Sequence, residues 1–424
     1  MTYTATTRFE NATPVWQASH AWLRPDRKHL RMRAGQYQQC PHCQAQEAVR
    51  IRAHLRFGVR EWYDQGSLLH CTACGEVSLL GEDRDTIEAA RPDVAGLPLT
   101  AVDARMWSAK PTFLNIEPTT RCNFECWYCV GRHMEQQDIK VENFAKVLDN
   151  FPTVETIALV GEGEPLLHKG YFDMVKMARA RGIRVMMISN GSAFSESVIR
   201  KICESGIAYI SISIDSISPE NFAASRIKGD LNRVLDGIEK LCRYRDANGY
   251  EYPKIGVKGT LFKHTENELL PIVELARARG AEIFESFQPL NPHKQYIKLY
   301  PKEQVRQLEF LPEVSATIVR DSQKALTIMQ SVQAFCEEEG IAVDKNGNGN
   351  GLRPNCDEEW IYTLLTGDVT PCCQIKAPQS PKWNLFEHSL ADIQADHDYQ
   401  NMRFNLFNGL FPDYCDGCSK TNGR

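Results

Sequence analysis

The sequence lacks several features that would by themselves define a class of protein. Its 424 residues contain no apolar run of about eighteen residues or more, so no transmembrane helix is expected. The first residues, MTYTATTRFENATPVWQ, are polar and lack the apolar core of a secretory signal. We also find no tandem repeats. These absences predict a cytoplasmic protein without a membrane partner.

An excess of basic residues is also missing. Lys and Arg number 49 against 54 Asp and Glu, which gives a net charge of -5 and a sequence pI of about 6.2. Nucleic-acid-binding surfaces usually need a basic stripe. The charge balance therefore disfavours nucleic acid as a partner.

Cysteine, by contrast, is abundant and clustered. The chain has 15 cysteines, and in a reducing compartment such clusters bind metal more often than they form disulfides. Three groups stand out: Cys40, Cys43, Cys71 and Cys74; Cys122, Cys126 and Cys129; and Cys356, Cys372, Cys373, Cys415 and Cys418. The isolated Cys203, Cys242 and Cys336 fall on helical patterns, which predicts core positions.

The first group predicts a zinc ribbon over residues 35–90, between an N-terminal extension (1–34) and a linker (91–111). Its two knuckles, CPHC and CTAC, supply four thiolates for a closed tetrahedral Zn²⁺ site, with an iron–sulfur cluster as the alternative. His42 and His70 adjoin the knuckles and are predicted to be surface residues. Metal would supply folding energy to a segment this small.

Residues 112–300 alternate short apolar β-rich runs with amphipathic stretches. Six strands are predicted, at 112–119, 156–161, 184–190, 209–215, 255–262 and 282–289. Helical patterns at 171–182 and 267–280 each end in a glycine. Alternating strands and helices predict an α/β fold with a parallel sheet. Six units favour a partial (β/α)6 TIM-like barrel, while periodicity alone leaves a doubly wound sheet open.

The second cysteine group, CNFECWYC, follows the first barrel strand, and GEGEP (161–165) follows the second. Active sites of βα barrels lie at these carboxyl ends. Three thiolates holding a four-iron cluster leave one iron without a protein ligand. The alternative is a structural metal site completed by a distant cysteine, which would leave the strand-end motifs unexplained.

With these motifs the chain resembles the radical S-adenosylmethionine superfamily over roughly residues 110–290. CNFECWYC matches the CxxxCxΦC signature, and GEGEP stands where the family has GGEP, with Glu162 replacing the second glycine. The resemblance implies a [4Fe–4S] cluster on Cys122, Cys126 and Cys129. Its open iron would chelate S-adenosylmethionine, whose reductive cleavage yields a 5′-deoxyadenosyl radical that removes hydrogen from a substrate.

The resemblance also implies roles for residues around the cosubstrate. Glu164 and the Gly161–Gly163 backbone would bind its ammonium group, with the Glu162 carboxylate as a further acceptor. Ser213 and Arg226 would bind its carboxylate. The remaining positions are Asn190 and Asp215 near the ribose, and Tyr128 and Val257 near the adenine. From the residues alone, Ser213, Asn190 and Asp215 can equally be strand-end or turn residues, and Arg226 a solvated surface charge.

The third cysteine group lies in a predicted domain at residues 346–424, which follows a helical connection (301–345). Its pattern, GDVTPCC then PDYCDGC, resembles the SPASM/twitch extension of radical S-adenosylmethionine enzymes. That resemblance implies one auxiliary [4Fe–4S] cluster, fully ligated by Cys356, Cys372, Cys415 and Cys418, with structural zinc as the alternative. Three interpretations of Cys373 stay open: a ligand in place of Cys372, an inert packed thiol, or a hydrogen-atom donor.

The expected function is radical oxidation of a polar small molecule of the sugar or cyclitol type. The auxiliary cluster would accept the second electron, and a flavodoxin- or ferredoxin-type protein would supply the first. Candidate substrate contacts are Lys258, Glu285 and Gln288. The alternatives are epimerisation with a cysteine donor, peptide modification, a non-catalytic electron carrier and a zinc-dependent nucleic-acid binder.

Overall fold

The computed structural model divides the chain into two compact units. One comprises residues 1–110, 352–358 and 391–416, and the other residues 111–351, 359–390 and 417–424. The structure describes residues 13–14, 38–57, 61–71, 73–74, 76–104, 111–289, 294–308, 360–396, 398–399, 402–403, 406 and 412–415. In those ranges no helix is both long and apolar enough to cross a membrane. The division places parts of the predicted 346–424 segment in both units, so the domain boundaries stay predictions.

The first unit contains an antiparallel sheet of five strands. They are β1 (Thr13–Pro14), β2 (Ala48–Phe57), β3 (Glu61–Cys71), β4 (Val77–Leu79) and β5 (Leu99–Ala104), with helix α1 (Gly81–Ala90) between β4 and β5. The strand order is β1-β4-β3-β2-β5. Strand β5 corrects the prediction that residues 91–111 are a linker, because its backbone pairs with β2 from Ala53 to Phe57. Strand β5 has only six residues and follows a segment that contains prolines, so its alternation of apolar residues was too short to predict a strand.

The second unit alternates strands and helices. Its strands are β6 (Phe113–Ile116), β7 (Thr156–Leu159), β8 (Arg184–Ser189), β9 (Tyr209–Ser213), β10 (Lys254–Leu261), β11 (Ile283–Pro289), β12 (Trp360–Thr363) and β13 (Val369–Thr370). Its helices are α2 (Val141–Asn150), α3 (Tyr171–Ala180), α4 (Glu196–Ser205), α5 (Pro219–Ser225), α6 (Leu231–Ala247), α7 (Leu269–Ala278), α8 (Lys294–Ile297) and α9 (Lys302–Val305). A further helix, α10 (Leu390–Ala395), begins at the boundary between the units.

The order of the eight strands distinguishes the two folds that periodicity left open. The sheet runs β11-β10-β9-β8-β7-β6-β12-β13, and strands β6 to β11 are parallel neighbours in chain order. A doubly wound sheet reverses its strand order at a switch point. This one does not, so all six predicted strands and the partial (β/α)6 barrel are confirmed.

Local sequence signals explain where the helices begin and end. The side chains of Ser195, Ser218 and Asp230 accept the backbone N–H three residues onward and cap α4, α5 and α6. After α3 and α7, Gly182 and Gly280 adopt φ of 76° and 94°, a left-handed region where a side chain is strained. Cys203 and Cys242 are buried on α4 and α6, as predicted. Cys336 lies outside the described residues.

Strand register sorts the second unit's sheet into two faces. Leu114, Ile157 and Val185 are paired neighbours and fully buried. The alternate positions form a more polar row that runs around the sheet through Tyr362, Asn115, Ala158, Met186, Tyr209 and Lys254. Side chains alternate between faces along a strand, so polar residues such as Glu117 and Asp215 continue this row beyond the strand ends.

Candidate active site

The three-cysteine loop lies at the carboxyl end of β6, beside a cavity of about 430 Å³. The cavity is lined by Thr120, Cys122, Phe124, Glu125, Cys126, Cys129, Arg132, His133, Gln136 and Glu162. All three predicted sulfur ligands therefore face one space. Burial raises the pKa of Cys126 to about 11, and burial together with Glu162 raises that of Cys129 well above its usual value. A bound cation would offset this cost, because metal binding favours the thiolate.

Protein contacts hold this loop in place. The backbone N–H groups of Glu125 and Trp127 donate to the carbonyls of Ile227 and Ser225, at 2.8 and 3.3 Å. The Tyr128 hydroxyl donates to Asp215 at 2.7 Å. Trp127 and Tyr128 also pack against Phe262. The loop is thus fixed by contacts with segments that follow β9 and β10.

The GEGEP loop after β7 packs directly against the cysteine loop. Gly163 donates its N–H to the Thr119 carbonyl at 3.1 Å, and Glu164 to the Arg121 carbonyl at 2.8 Å. A Cβ on Gly163 would lie 2.5 Å from the Arg121 carbonyl oxygen, which is far inside contact distance. Only glycine permits this approach, so the motif has a packing reason in addition to any role in binding.

Glu164 occupies the buried centre of this region. Its carboxylate accepts from the Asn190 N–H at 2.7 Å, the Ser189 hydroxyl at 2.9 Å and the Leu166 N–H at 3.3 Å. Burial outweighs these hydrogen bonds and raises the pKa of Glu164 to about 7. The contacts tie the end of β8 to the GEGEP loop. The predicted contact of Glu164 with an ammonium group stays a prediction.

Asp215 is the second buried hub. Arg226 forms a two-point ion pair with it, each N···O distance being 2.9 Å, and the Thr260 N–H donates to it at 2.9 Å. Arg226 is 8% exposed, so the alternative of a solvated surface charge is wrong. Burial acts to lower the pKa of Arg226, but Asp215 outweighs it and the guanidinium stays charged. The structure thus brings together three predicted cosubstrate residues, Tyr128, Asp215 and Arg226.

The remaining predicted residues take varied positions. Asn190 lies beside the cysteine loop, with its amide nitrogen 3.8 Å from the Cys122 sulfur. Ser213 and Lys258 are register partners, whereas Val257 pairs with Ile212 on the opposite face and is fully buried. Glu285 and Gln288 fall on β11, but their side chains lie outside the described residues.

The sequence reasoning missed a buried network at the same edge of the sheet. Lys376 Nζ lies 2.7 Å from Glu162 Oε1, 2.7 Å from Glu117 Oε1 and 2.7 Å from the Tyr362 hydroxyl. Glu117 follows β6 directly, so its strand-end position was a usable signal. Lys376 is 259 positions from Glu117, and nothing in the local sequence marks it.

The N-terminal cysteines converge on a single centre in the first unit. The ligand atoms of Cys40, Cys43, Cys71 and Cys74 all lie within 4.8 Å of one another. Two sulfur pairs, Cys40–Cys74 and Cys43–Cys71, are 3.7 and 3.6 Å apart. Four thiolates around one ion at about 2.3 Å would stand at this spacing. The predicted four-cysteine group is confirmed.

The third cysteine group is described only in part. Cys372 and Cys373 are partly buried in the second unit, and Cys415 ends a short turn, Asp413–Cys415, in the first. Cys356 and Cys418 lie outside the described residues. The auxiliary cluster and the three interpretations of Cys373 therefore stay predictions.

Comparison with known proteins defines the class. Residues 116–276 match the sequence model of the Radical SAM superfamily. This span holds the three-cysteine loop, the GEGEP loop and strands β7 to β10. The chain therefore contains a radical SAM domain over these residues.

Individual relatives resemble longer or shorter parts of the chain. The tungsten-containing aldehyde ferredoxin oxidoreductase cofactor-modifying protein of Pyrococcus furiosus is 26% identical over 337 residues, with 72% of this chain and 87% of that protein covered. The GTP 3',8-cyclase of Marinobacter nauticus is 30% identical over 209 residues, which cover 46% of this chain and 61% of that enzyme. Among solved structures, Streptococcus suis SuiB bound to S-adenosylmethionine has a TM-score of 0.51 at 14% identity, covering 81% of this chain and 87% of that one. That likeness concerns the fold alone.

Proposed function

We propose that the protein cleaves S-adenosylmethionine reductively and removes a hydrogen atom from a polar small molecule of the sugar or cyclitol type. The observation that carries the proposal is the convergence of three cysteines on one cavity, with the GEGEP loop packed against them. In a superfamily member, these are the features that the reaction requires.

The donor set of the cavity fits a cluster held by three thiolates. Its lining includes three cysteines, and within the described residues no fourth cysteine lines it. Soft thiolate ligands are those that iron–sulfur clusters take. When bound there, a reduced [4Fe–4S] cluster supplies one electron for cleavage of the sulfonium. The chain's part is to hold the cluster, orient the cosubstrate and limit access of water.

Specific residues are assigned to the cosubstrate as part of this proposal. Glu164 and the backbone of Gly161–Gly163 receive its ammonium group, while Arg226 and Ser213 receive its carboxylate. Asn190 and Asp215 lie near its ribose, and Tyr128 near its adenine. The contacts of the buried Asp215 with the buried Arg226 and the partly buried Tyr128 support a site that is already formed before the cosubstrate binds.

The reaction on the substrate is proposed to be an oxidation. An auxiliary [4Fe–4S] cluster on Cys356, Cys372, Cys415 and Cys418 would accept the second electron, and a flavodoxin- or ferredoxin-type protein would supply the first. Epimerisation with Cys373 as hydrogen donor is the second version, and solvent deuterium incorporation at the product carbon separates the two. A non-catalytic electron carrier would release no 5′-deoxyadenosine.

The relatives add a second candidate for the substrate class. The Pyrococcus furiosus protein, whose match covers 72% of this chain, is named for modifying a cofactor. A cofactor precursor is a polar small molecule, so it falls within the same general proposal. Incubation with nucleotides and with sugar substrates, and mass spectrometry of the products, separates these classes.

The four-cysteine group is proposed to bind zinc. One ion gathers four thiolates around a single centre, whereas a four-iron cluster takes one thiolate at each iron and spreads them apart. The mutual distances below 4.8 Å favour the single ion. Binding would also organise β2, β3 and their knuckles in a segment with a small core.

The test is cosubstrate cleavage after anaerobic reconstitution and chemical reduction. The wild-type chain should release 5′-deoxyadenosine, and Cys126→Ala should release none above background. Cys203→Ala is the matched control, because Cys203 is a buried helical cysteine outside the cavity. Wild-type protein with intact cluster and no 5′-deoxyadenosine would contradict the proposal.

A further inference from the structure

Lys376 occupies a position that the proposed reaction does not yet explain. It comes three residues after Cys373, and its side chain is only 6% exposed. Its ammonium group has three N–H donors and three partners at 2.7 Å, which are Glu117, Glu162 and the Tyr362 hydroxyl. Two of these contacts are hydrogen bonds, to Glu117 and to the Tyr362 hydroxyl, and the third is an ion pair with Glu162. Lys376 therefore holds other groups of the protein in place.

The charge of this network explains why the contacts are strong. Two carboxylates share one ammonium in a buried site, where water screens them poorly. Burial acts to lower the pKa of Lys376, but Glu162, Tyr362 and Glu117 outweigh it and hold that pKa well above its usual range. The lysine is thus a permanent cation. Its removal would leave the buried Glu117 carboxylate and the partly exposed Glu162 carboxylate without their shared cation.

Glu162 connects the lysine to the three-cysteine loop. While its Oε1 pairs with Lys376, its Oε2 lies 3.6 Å from the Cys129 sulfur, and its carbonyl oxygen lies 3.7 Å from the same sulfur. A Cβ on Gly131 would fall 2.5 Å from the Glu162 Cβ, so the backbone after Cys129 is packed tightly against Glu162. Lys376 therefore contacts Glu162, and Glu162 in turn contacts the predicted cluster ligand Cys129.

We propose that Lys376 is a positioning residue that acts through Glu162 on the cluster held by Cys129, an inference that rests on the proposed function. It fixes a carboxylate beside the thiolate and supplies the positive charge that compensates it. The reduction potential of an iron–sulfur cluster depends on nearby net charge and on the environment of its sulfurs. Loss of the lysine leaves more negative charge near the cluster, which makes the cluster harder to reduce.

The first test compares Lys376→Met with Lys376→Arg and with Lys382→Met, a change at an exposed lysine of the same segment. An anaerobic redox titration followed by electron paramagnetic resonance gives the midpoint potential. The relevant cluster is identified by the change in its signal when S-adenosylmethionine is added. Lys376→Met should shift the midpoint potential of this cluster to more negative values. Lys376→Arg keeps the positive charge and should give a potential close to that of the wild type. Lys382→Met should match the wild type.

A second comparison shows whether the effect passes through Glu162. In a Glu162→Gln background, Lys376→Met should produce a smaller shift than in the wild-type background, because the carboxylate that it fixes beside Cys129 is gone, although Glu117 remains. Equal potentials in wild-type and Lys376→Met protein, both holding the cluster, would overturn the proposal. An undiminished shift in the Glu162→Gln background would also overturn it.

Hydrogen exchange keeps the proposal testable if the cluster does not form. The Gly163 and Glu164 amides donate to the Thr119 and Arg121 carbonyls and should be protected. Lys376→Met should speed their exchange several-fold, and Lys382→Met should not. A wild-type chain without an S-adenosylmethionine-responsive cluster contradicts the proposed function, and the role of Lys376 is then judged by exchange alone. Unchanged exchange in Lys376→Met would refute that role.

Discussion

The two described cysteine sites differ in what organises them. In the first unit, four sulfurs approach one another to within 4.8 Å at the ends of a β-hairpin and its turns. In the second, three sulfurs line a cavity of about 430 Å³, and the loop that carries them is tied down by hydrogen bonds, aromatic packing and ion pairs. If the first site binds zinc as proposed, it would need that metal to fold, whereas the loop of the second site is held by protein contacts beside a cavity.

The largest expected effect comes from removing one cysteine at each site, which separates a role in folding from a role in catalysis. Cys71→Ala should remove zinc and unfold the hairpin region, because zinc contributes about 10–16 kcal/mol to such small segments. Cys126→Ala should leave the fold of the second unit intact and abolish 5′-deoxyadenosine formation. Circular dichroism, zinc content and product analysis on both variants check this. A folded, zinc-loaded Cys71→Ala protein would break the comparison.

The buried ion pair provides the next test. Arg226→Met should lower the free energy of unfolding by about 3–5 kcal/mol, because it leaves the Asp215 carboxylate buried without its partner. The control is Arg181→Met, which removes an exposed pair with Asp149 and should cost about 1 kcal/mol or less. Urea unfolding of both variants measures the difference. Equal costs would show that the Asp215 hub does not hold the cysteine loop.

A pH effect should follow from the buried Glu164. Its pKa rises from an ordinary 4.5 to about 7 on folding, so the folded state binds its proton more tightly. The resulting stabilisation is full below pH 4.5 and is lost as pH rises through 7, a change of about 3 kcal/mol.

Glu164→Gln should therefore flatten the decline of unfolding free energy between pH 5 and about 7.5, relative to wild type. Urea unfolding at several pH values measures the slope, with the exposed Glu196→Gln as control. An unchanged slope in Glu164→Gln would mean that this carboxyl titrates near its ordinary value in the folded chain.

The smallest expected effect concerns the contact between the two motif loops. Gly163→Ala should destabilise the second unit by about 1–3 kcal/mol, because its Cβ meets the Arg121 and Thr119 carbonyl oxygens at 2.5 and 2.6 Å. Gly249→Ala is the control. Its φ of +70° makes a side chain there strained, but the added Cβ meets no atom within 4 Å, so no loop contact is disturbed. Iron content should fall in the first variant and stay unchanged in the second. Full iron content and stability in Gly163→Ala would show that the loops tolerate separation.

Much of the second unit was predictable because its signals are local. Short apolar runs marked all six strands, and glycines at 182 and 280 marked two helix ends. The cysteine spacing and GEGEP located the site, since parallel strands bring their carboxyl ends to one edge.

What the sequence could not predict depends on long-range contacts. Lys376 reaches Glu117 across 259 positions, and no pattern around it indicates burial. Arg226 was compatible with a surface position until the fold placed Asp215 beside it. Strand β5 escaped notice because its pairing with β2, and not its own short pattern, makes it a strand.

The central claim, one closed metal site and one open cluster site, is tested most directly by metal content. After anaerobic reconstitution we expect about eight iron and one zinc per wild-type chain, from two four-iron clusters and one zinc ion. Cys126→Ala should lose about four iron and keep the zinc, and Cys71→Ala should lose the zinc alone. Iron bound by Cys40, Cys43, Cys71 and Cys74, or full iron retention in Cys126→Ala, would contradict the account.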